Sequence, residues 1–112
     1  MKKIEAIVRP NKVSDVCAAL DKVGHPGLMV TQIEGHGKQK GLEQQVRGKT
    51  YKVDLLTKAR IEVIVKDEDV DRITKAIIDV AKTGKIGDGK IFVSDVTDAI
   101  RIRTGDCGET AI

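Results

Sequence analysis

The sequence predicts an α+β domain in which the order strand, helix, strand occurs twice, on either side of a long polar insert. Three observations predict it. Apolar residues alternate over residues 2–9 and 61–65, the period of strands with one buried face. They recur at helical spacing from Val13 to Val23 and from Val70 to Val80. Between these halves, Gly35 to Asp54 is polar, carries Gly35, Gly37, Gly41 and Gly48, and sustains no apolar period.

In the first strand Ile4, Ala6 and Val8 form the buried set against Lys3, Glu5, Ile7 and Arg9. Pro10-Asn11 ends it, and Asn11 suits a helix N-cap because its side-chain oxygen can accept an orphan backbone N–H. Val13, Val16, Cys17, Leu20 and Val23 make the first helical stripe, and Gly24 supplies the stop. A second strand follows Pro26-Gly27 through Leu28, Val30 and Ile33. The insert comes next; loops of that length in a small domain are more often functional or disordered than decorative.

Order resumes at Leu55-Leu56 and continues as a strand through Ile61, Val63 and Val65. Asp67 is placed to cap a helix with the stripe Val70, Ile73, Ile77 and Val80, ended by Gly84. A glycine-rich turn, Gly84 to Gly89, leads to a short strand at Ile91 to Val93, and Ile100 and Ile102 suggest a further extended piece. This βαββαβ order is that of a ferredoxin-like split βαβ domain over residues 1–112, with two helices on one face of an antiparallel sheet. Ile7 and Ile64 fall on the uncovered face. A sheet face that is not wholly polar asks for a partner, so a homo-oligomer is expected.

Composition narrows the function classes. The 112 residues allow one modest core, built from aliphatic residues because the chain has one Tyr, one Phe and no Trp. The net charge of +3 is too mild to mark a nucleic-acid protein, and Phe92 alone cannot stack bases on a sheet. Basic residues that converge would instead suit small anions. Cys17 and Cys107 form no CxxC motif and are expected as unpaired thiols in a reducing compartment. With no signal-like apolar start and no stretch near the ~20 apolar residues of a span, a cytoplasmic protein without direct membrane insertion is expected.

Three segments carry binding chemistry. Lys85-Ile86-Gly87-Asp88-Gly89-Lys90 precedes a strand, unlike a P-loop, yet its glycines let backbone N–H groups approach an anion and Lys90 adds a charge. An ordinary turn is the alternative. In Arg101-Ile102-Arg103, an extended backbone would put both guanidiniums on one side, about 7 Å apart, spaced for polyphosphate oxygens. A solvated basic edge is the alternative. Gly35 to Gly41 offers backbone donors, the Gln39 amide and the Lys38 and Lys40 ammonium groups; His36 has no second metal ligand at a useful spacing. No nucleophile and base pair up, so an enzyme is not expected.

Thr83 to Val93 resembles the C-terminal signature of the PII signalling family position for position. Met1 to Pro10, Gly35 to Gly41 and Ile100 to Gly105 also match in residue and spacing, across the whole chain. The resemblance implies a ferredoxin-like homotrimer with nucleotide sites in the clefts between subunits and a long protruding T-loop at about residues 37–55. It implies that Gly87, Asp88, Gly89, Lys90, Arg101 and Arg103 hold ATP or ADP phosphates, with Gly35, Gly37, Lys38 and Gln39 at the loop base and Ile7, Glu62 and Ile64 near the adenosine. It implies 2-oxoglutarate chelated to a Mg ion on the ATP phosphates, with Gln39 as metal ligand, Lys58 on the distal carboxylate and backbone amides near Lys40 and Gly41 assisting. Tyr51 stands at the family's uridylylation position, although of the usual preceding run only Arg47-Gly48 is kept. Met29 stands where a Ser or Thr commonly contacts the adenine.

The function so implied is nitrogen-, carbon- and energy-status signalling. Its partners would be an ammonium transporter or nitrogen-assimilation enzymes or regulators, with Arg47 as the loop anchor and a uridylyltransferase as modifying enzyme. A trimeric ferredoxin-like small-ligand or metal-binding regulatory module of another family keeps the fold and drops the ligand assignments.

Overall fold

The structure, a computed structural model, describes the backbone of residues 1–35, 43–46, 49–52 and 56–112, and the side chains of 1–34 and 57–112. Strands β1 (Lys2–Val8), β2 (Leu28–Gly35), β3 (Glu43–Val46), β4 (Lys49–Lys52), β5 (Leu56–Val65) and β6 (Lys90–Asp95) occur with helices α1 (Val13–Val23) and α2 (Val70–Ala81). β2, β5, β1 and β6 form one antiparallel sheet in that order, which places β1 and β5 at its centre.

The alternation in β1 decides which way the layers face. Ile4 lies opposite Val63 on one side and Val93 on the other, and Ala6 lies opposite Ile61 and Ile91. Opposed residues share a face, so Ile4, Ala6 and Val8 join Ala59, Ile61, Val63 and Val65 in one buried layer. The helices close over it with Val16 and Leu20 from α1 and Ile73, Ile77 and Ala81 from α2. Ile73 and Ile77 are four apart and so stack on one side of α2. Ile73 is fully buried. Ile73→Ala is therefore expected to destabilise the fold by about 2–5 kcal/mol, through lost burial plus the cavity left behind; urea unfolding of the variant beside wild type measures it.

The helix starts differ from the sequence expectation. Neither Asn11 nor Asp67 caps a helix; each lies in a single 3-10 turn, Pro10–Lys12 and Asp67–Asp69, that leads into α1 or α2. Pro10 has φ already set for a helical turn, and the Lys12 N–H closes that turn on the Arg9 carbonyl at 2.9 Å. The Asp67 carboxylate instead pairs with the Met1 amino group at 3.0 Å. Gly24 does end α1: at φ +85 its N–H bonds the Leu20 carbonyl. Helix α2 stops at Ala81, short of Gly84.

The polar insert contains a feature that its periodicity did not announce. β3 and β4 pair as a two-stranded ribbon separate from the main sheet, with Gln44 opposite Tyr51. On the open face of the main sheet Ile7 and Ile64 are half-buried, while Met29 and Phe92 are 59% and 53% exposed. Among the described residues, no helix is long and apolar enough to cross a membrane.

Candidate functional site

The Gly-Asp-Gly-Lys turn between α2 and β6 is organised by one carboxylate. Asp88 Oδ2 accepts the backbone N–H groups of Thr83 and Gly84, both at 2.9 Å, and Oδ1 accepts the Thr83 hydroxyl. The Arg9 guanidinium adds an ion pair at 3.4 Å. These bonds from Thr83, Gly84 and Arg9 hold the Asp88 carboxyl well below the usual carboxylate range. The residue folds the chain back on the end of α2 and thereby sets where β6 begins.

Glycine is required at the end of this turn. A side chain at Gly89, at φ +97, would place its Cβ 1.7 Å from the Ile7 carbonyl oxygen. The turn thus lies backbone to backbone against β1. Two cations hold it from the open face: Arg9 donates to the Ile86 carbonyl at 2.9 Å and Lys58 donates to the Gly87 carbonyl at 2.7 Å. Burial, with Arg9 close by, pushes the Lys58 ammonium pKa down.

Six of the candidate residues line two hollows: Ile7, Asp88, Gly89 and Lys90 the first, Glu62 and Ile64 the second. One, about 290 Å³, lies beside the turn and is lined by Ile7, Asp88, Gly89 and Lys90 together with Ile77 and Lys82 of the α2 side. The other, about 300 Å³, is lined by Gly27, Leu28, Met29, Glu62, Ile64 and Ile112. Ile7 thus lines the first hollow, whereas Glu62 and Ile64 line the second. Ile7 pairs with Arg60, whereas Ile64 pairs with Lys3. Four residues of strand, about 13 Å, separate them. Between them Arg60 forms ion pairs with Glu62 at 2.9 Å and Glu5 at 3.6 Å.

The basis for pairing Arg101 with Arg103 needs correction. Residues 102–104 form a turn, closed by the Gly105 N–H on the Arg101 carbonyl at 2.7 Å, within a small loop bridged at Ile100 and Cys107. Extended geometry therefore does not align the two guanidiniums. Arg101 is held by Asp106 at 3.1 Å and by the Thr110 carbonyl at 2.8 Å. Gly105, at φ +75, and the Asp106 carboxylate favour this loop over a fifth strand in the sheet.

Gly35 closes β2 opposite Leu56, and Tyr51 lies on β4. Gly37, Lys38, Gln39, Lys40, Gly41 and Arg47 lie outside the described residues. Two residues that sequence reasoning gave no role, Arg9 and Thr83, prove to anchor the turn. Arg9 carried a signal: it stands two residues beyond Ile7, on the open face of the strand. Thr83 carried none, since its bond depends on the chain returning five residues later.

The family model for Nitrogen regulatory protein P-II matches residues 1–106. The chain is 54% identical over its whole length to the Nitrogen regulatory protein P-II of Pasteurella multocida, covering all of that protein. It is 53% identical to the Nitrogen regulatory protein P-II 1 of Escherichia coli K12, again with full coverage of both chains. With the Nitrogen regulatory protein P-II 2 of Methanothermobacter thermautotrophicus it shares 48% identity over its full length and 97% of the relative.

Proposed function

The chain belongs to the nitrogen regulatory protein P-II family, and on that premise we propose that it signals nitrogen, carbon and energy status by binding ATP or ADP and, with Mg-ATP, 2-oxoglutarate. The observation that carries this reading is the braced turn. Gly87, Asp88 and Gly89 offer backbone donors beside Lys90, and Asp88 is committed to holding the turn. An anion such as a nucleotide phosphate is the ligand that suits such a site.

The division into two hollows suits a site completed by a neighbouring copy, as in the homotrimer that the family resemblance implies. If neighbouring copies meet, the phosphate half around Gly87 to Lys90 in one copy can face the adenosine half around Glu62 and Ile64 in the next. Arg101 and Arg103 would add charge from their loop. Family members are regulatory proteins by name, and this chain is read as a regulator rather than an enzyme.

The donor set suits a magnesium that arrives on the nucleotide. The Asp88 carboxylate is occupied by Thr83, Gly84 and Arg9, so oxygens from ATP, the oxo-acid and the Gln39 amide would complete the shell. When bound, the metal would offset phosphate charge. Lys58 would take the distal carboxylate of 2-oxoglutarate, with amides near Lys40 and Gly41 assisting. The loop at residues 37–55 would then carry the signal, through Arg47, to an ammonium transporter or nitrogen-assimilation partner in the cytoplasm. Tyr51 would be the site of uridylylation.

Calorimetry tests the reading. ATP with Mg is expected to bind alone, 2-oxoglutarate only after ATP, and each should tighten the other by the same factor. Gln39→Ala should abolish oxo-acid binding while largely sparing ATP. Oxo-acid binding without nucleotide would point to the other-module alternative.

A further inference from the structure

The two cations behind the glycine-rich turn do more than balance charge. The peptide group is planar and trans, so a carbonyl fixed in one direction turns the next residue's N–H the opposite way. Arg9 fixes the Ile86 carbonyl and Lys58 fixes the Gly87 carbonyl. The N–H groups that follow, those of Gly87 and Asp88, consequently point away from both cations. Among the described residues the Gly87 N–H donates no hydrogen bond, and the Asp88 N–H, which faces back into the turn at residues 86–87, has no well-aligned carbonyl partner. Two successive backbone donors held side by side form a concavity suited to an anion. With Gly87 at φ +106, the peptides on either side of it would otherwise rotate easily.

We propose that Lys58 and Arg9 are positioning residues that aim the Gly87 and Asp88 amides at a bound phosphate by gripping the carbonyls behind them. Lys58 then has two tasks, because an ammonium group has three donors and Gly87 uses one. The others remain for a ligand carboxylate. A carboxylate on Lys58 would restrain the same ammonium that fixes the Gly87 peptide. Carboxylate and phosphate binding would thereby be coupled through one side chain, in addition to any metal the two ligands share. This rests on the nucleotide reading given above but assigns Lys58 a part in nucleotide binding itself, with the oxo-acid absent.

The test is ADP binding without 2-oxoglutarate, followed by 15N–1H NMR on the full chain and by calorimetry, for wild type, Lys58→Met and Lys58→Arg. In wild type, ADP should shift the Gly87 and Asp88 amide resonances most. Lys58→Met should displace those resonances before any ligand is added and weaken ADP about tenfold, as expected for one lost charge-assisted hydrogen bond. Lys58→Arg, which can still donate to the carbonyl, should recover most of the affinity. Arg9→Gln, a second and independent variant, should move the Gly87 amide. ADP affinity unchanged in Lys58→Met, with unmoved turn resonances, would overturn the positioning role and leave the nucleotide reading intact. Failure of wild type to bind ADP would overturn the nucleotide reading instead; the ligand-free spectra would still decide whether the two cations set the turn.

Discussion

Gly89→Ala is expected to weaken nucleotide binding by about a hundredfold or more and to cost the fold roughly 3 kcal/mol, as an overpacked contact added to a strained backbone. The new Cβ would sit 1.7 Å from the Ile7 carbonyl oxygen, a backbone atom of the central strand that has no rotamer by which to yield. The turn must therefore lift away from β1 or β1 must bend. Either movement displaces the amides of Gly87 and Asp88 from Lys90 and weakens the phosphate site, by about a hundredfold or more if alignment is lost at two donors. Gly84→Ala is the control. It also carries positive φ, +84, but nothing lies within 4 Å of its Cβ. It should cost only about 1–2 kcal/mol of local strain. Urea unfolding and ADP calorimetry on both variants separate strain from collision; near-native stability in Gly89→Ala would mean that the contact with Ile7 is not held in solution.

Asp88→Asn should have the next largest effect. The amide keeps the shape of the side chain but retains one acceptor oxygen where the carboxylate serves Thr83, Gly84 and Arg9 with two. Bonds to a charged acceptor are stronger than bonds to a neutral one, so nucleotide affinity should fall by about tenfold to a hundredfold as the turn loosens. The pH dependence gives a second measurement. The Asp88 carboxyl lies below its ordinary value of 3.8 in the folded chain. Between the two values the unfolded chain binds more protons, so stability rises with pH. The contribution is complete above 3.8 and is lost progressively as the pH falls below it. Wild type should lead Asp88→Asn in urea midpoint at pH 5, and the gap should narrow toward pH 3. A constant gap would show that the charge of Asp88 does not brace the turn.

Much of this arrangement is legible in the sequence, wherever a buried face imposes a period. β1 announced itself because Ile4, Ala6 and Val8 must all meet the helices. α2 did so because Ile73 and Ile77 recur at the helical repeat. The β3–β4 ribbon escaped because a two-stranded pair outside the main sheet has no core to bury, so Gln44, Gln45 and Thr50 show no alternation. The loop around Arg101 was misread as extended because two apolar residues two apart, Ile100 and Ile102, imitate a strand over a stretch too short to decide. The glycine-rich turn was visible as a candidate from its composition. Its bracing was not, since Arg9 and Lys58 reach it from distant parts of the chain and the Thr83 bond depends on how the turn folds back.

The central place of β1 has a consequence for how the molecule breathes. Its amides are bonded into ladders on both edges, so exchange with solvent requires the sheet itself to come apart, whereas β2 and β6 each keep one edge unpaired within the sheet. Gly89 lies against that strand, which shares the centre of the sheet with β5. The amides proposed to meet a phosphate are thus expected to hang from one of the last parts of the sheet to open, which native-state hydrogen exchange would show as strong protection in β1 and β5.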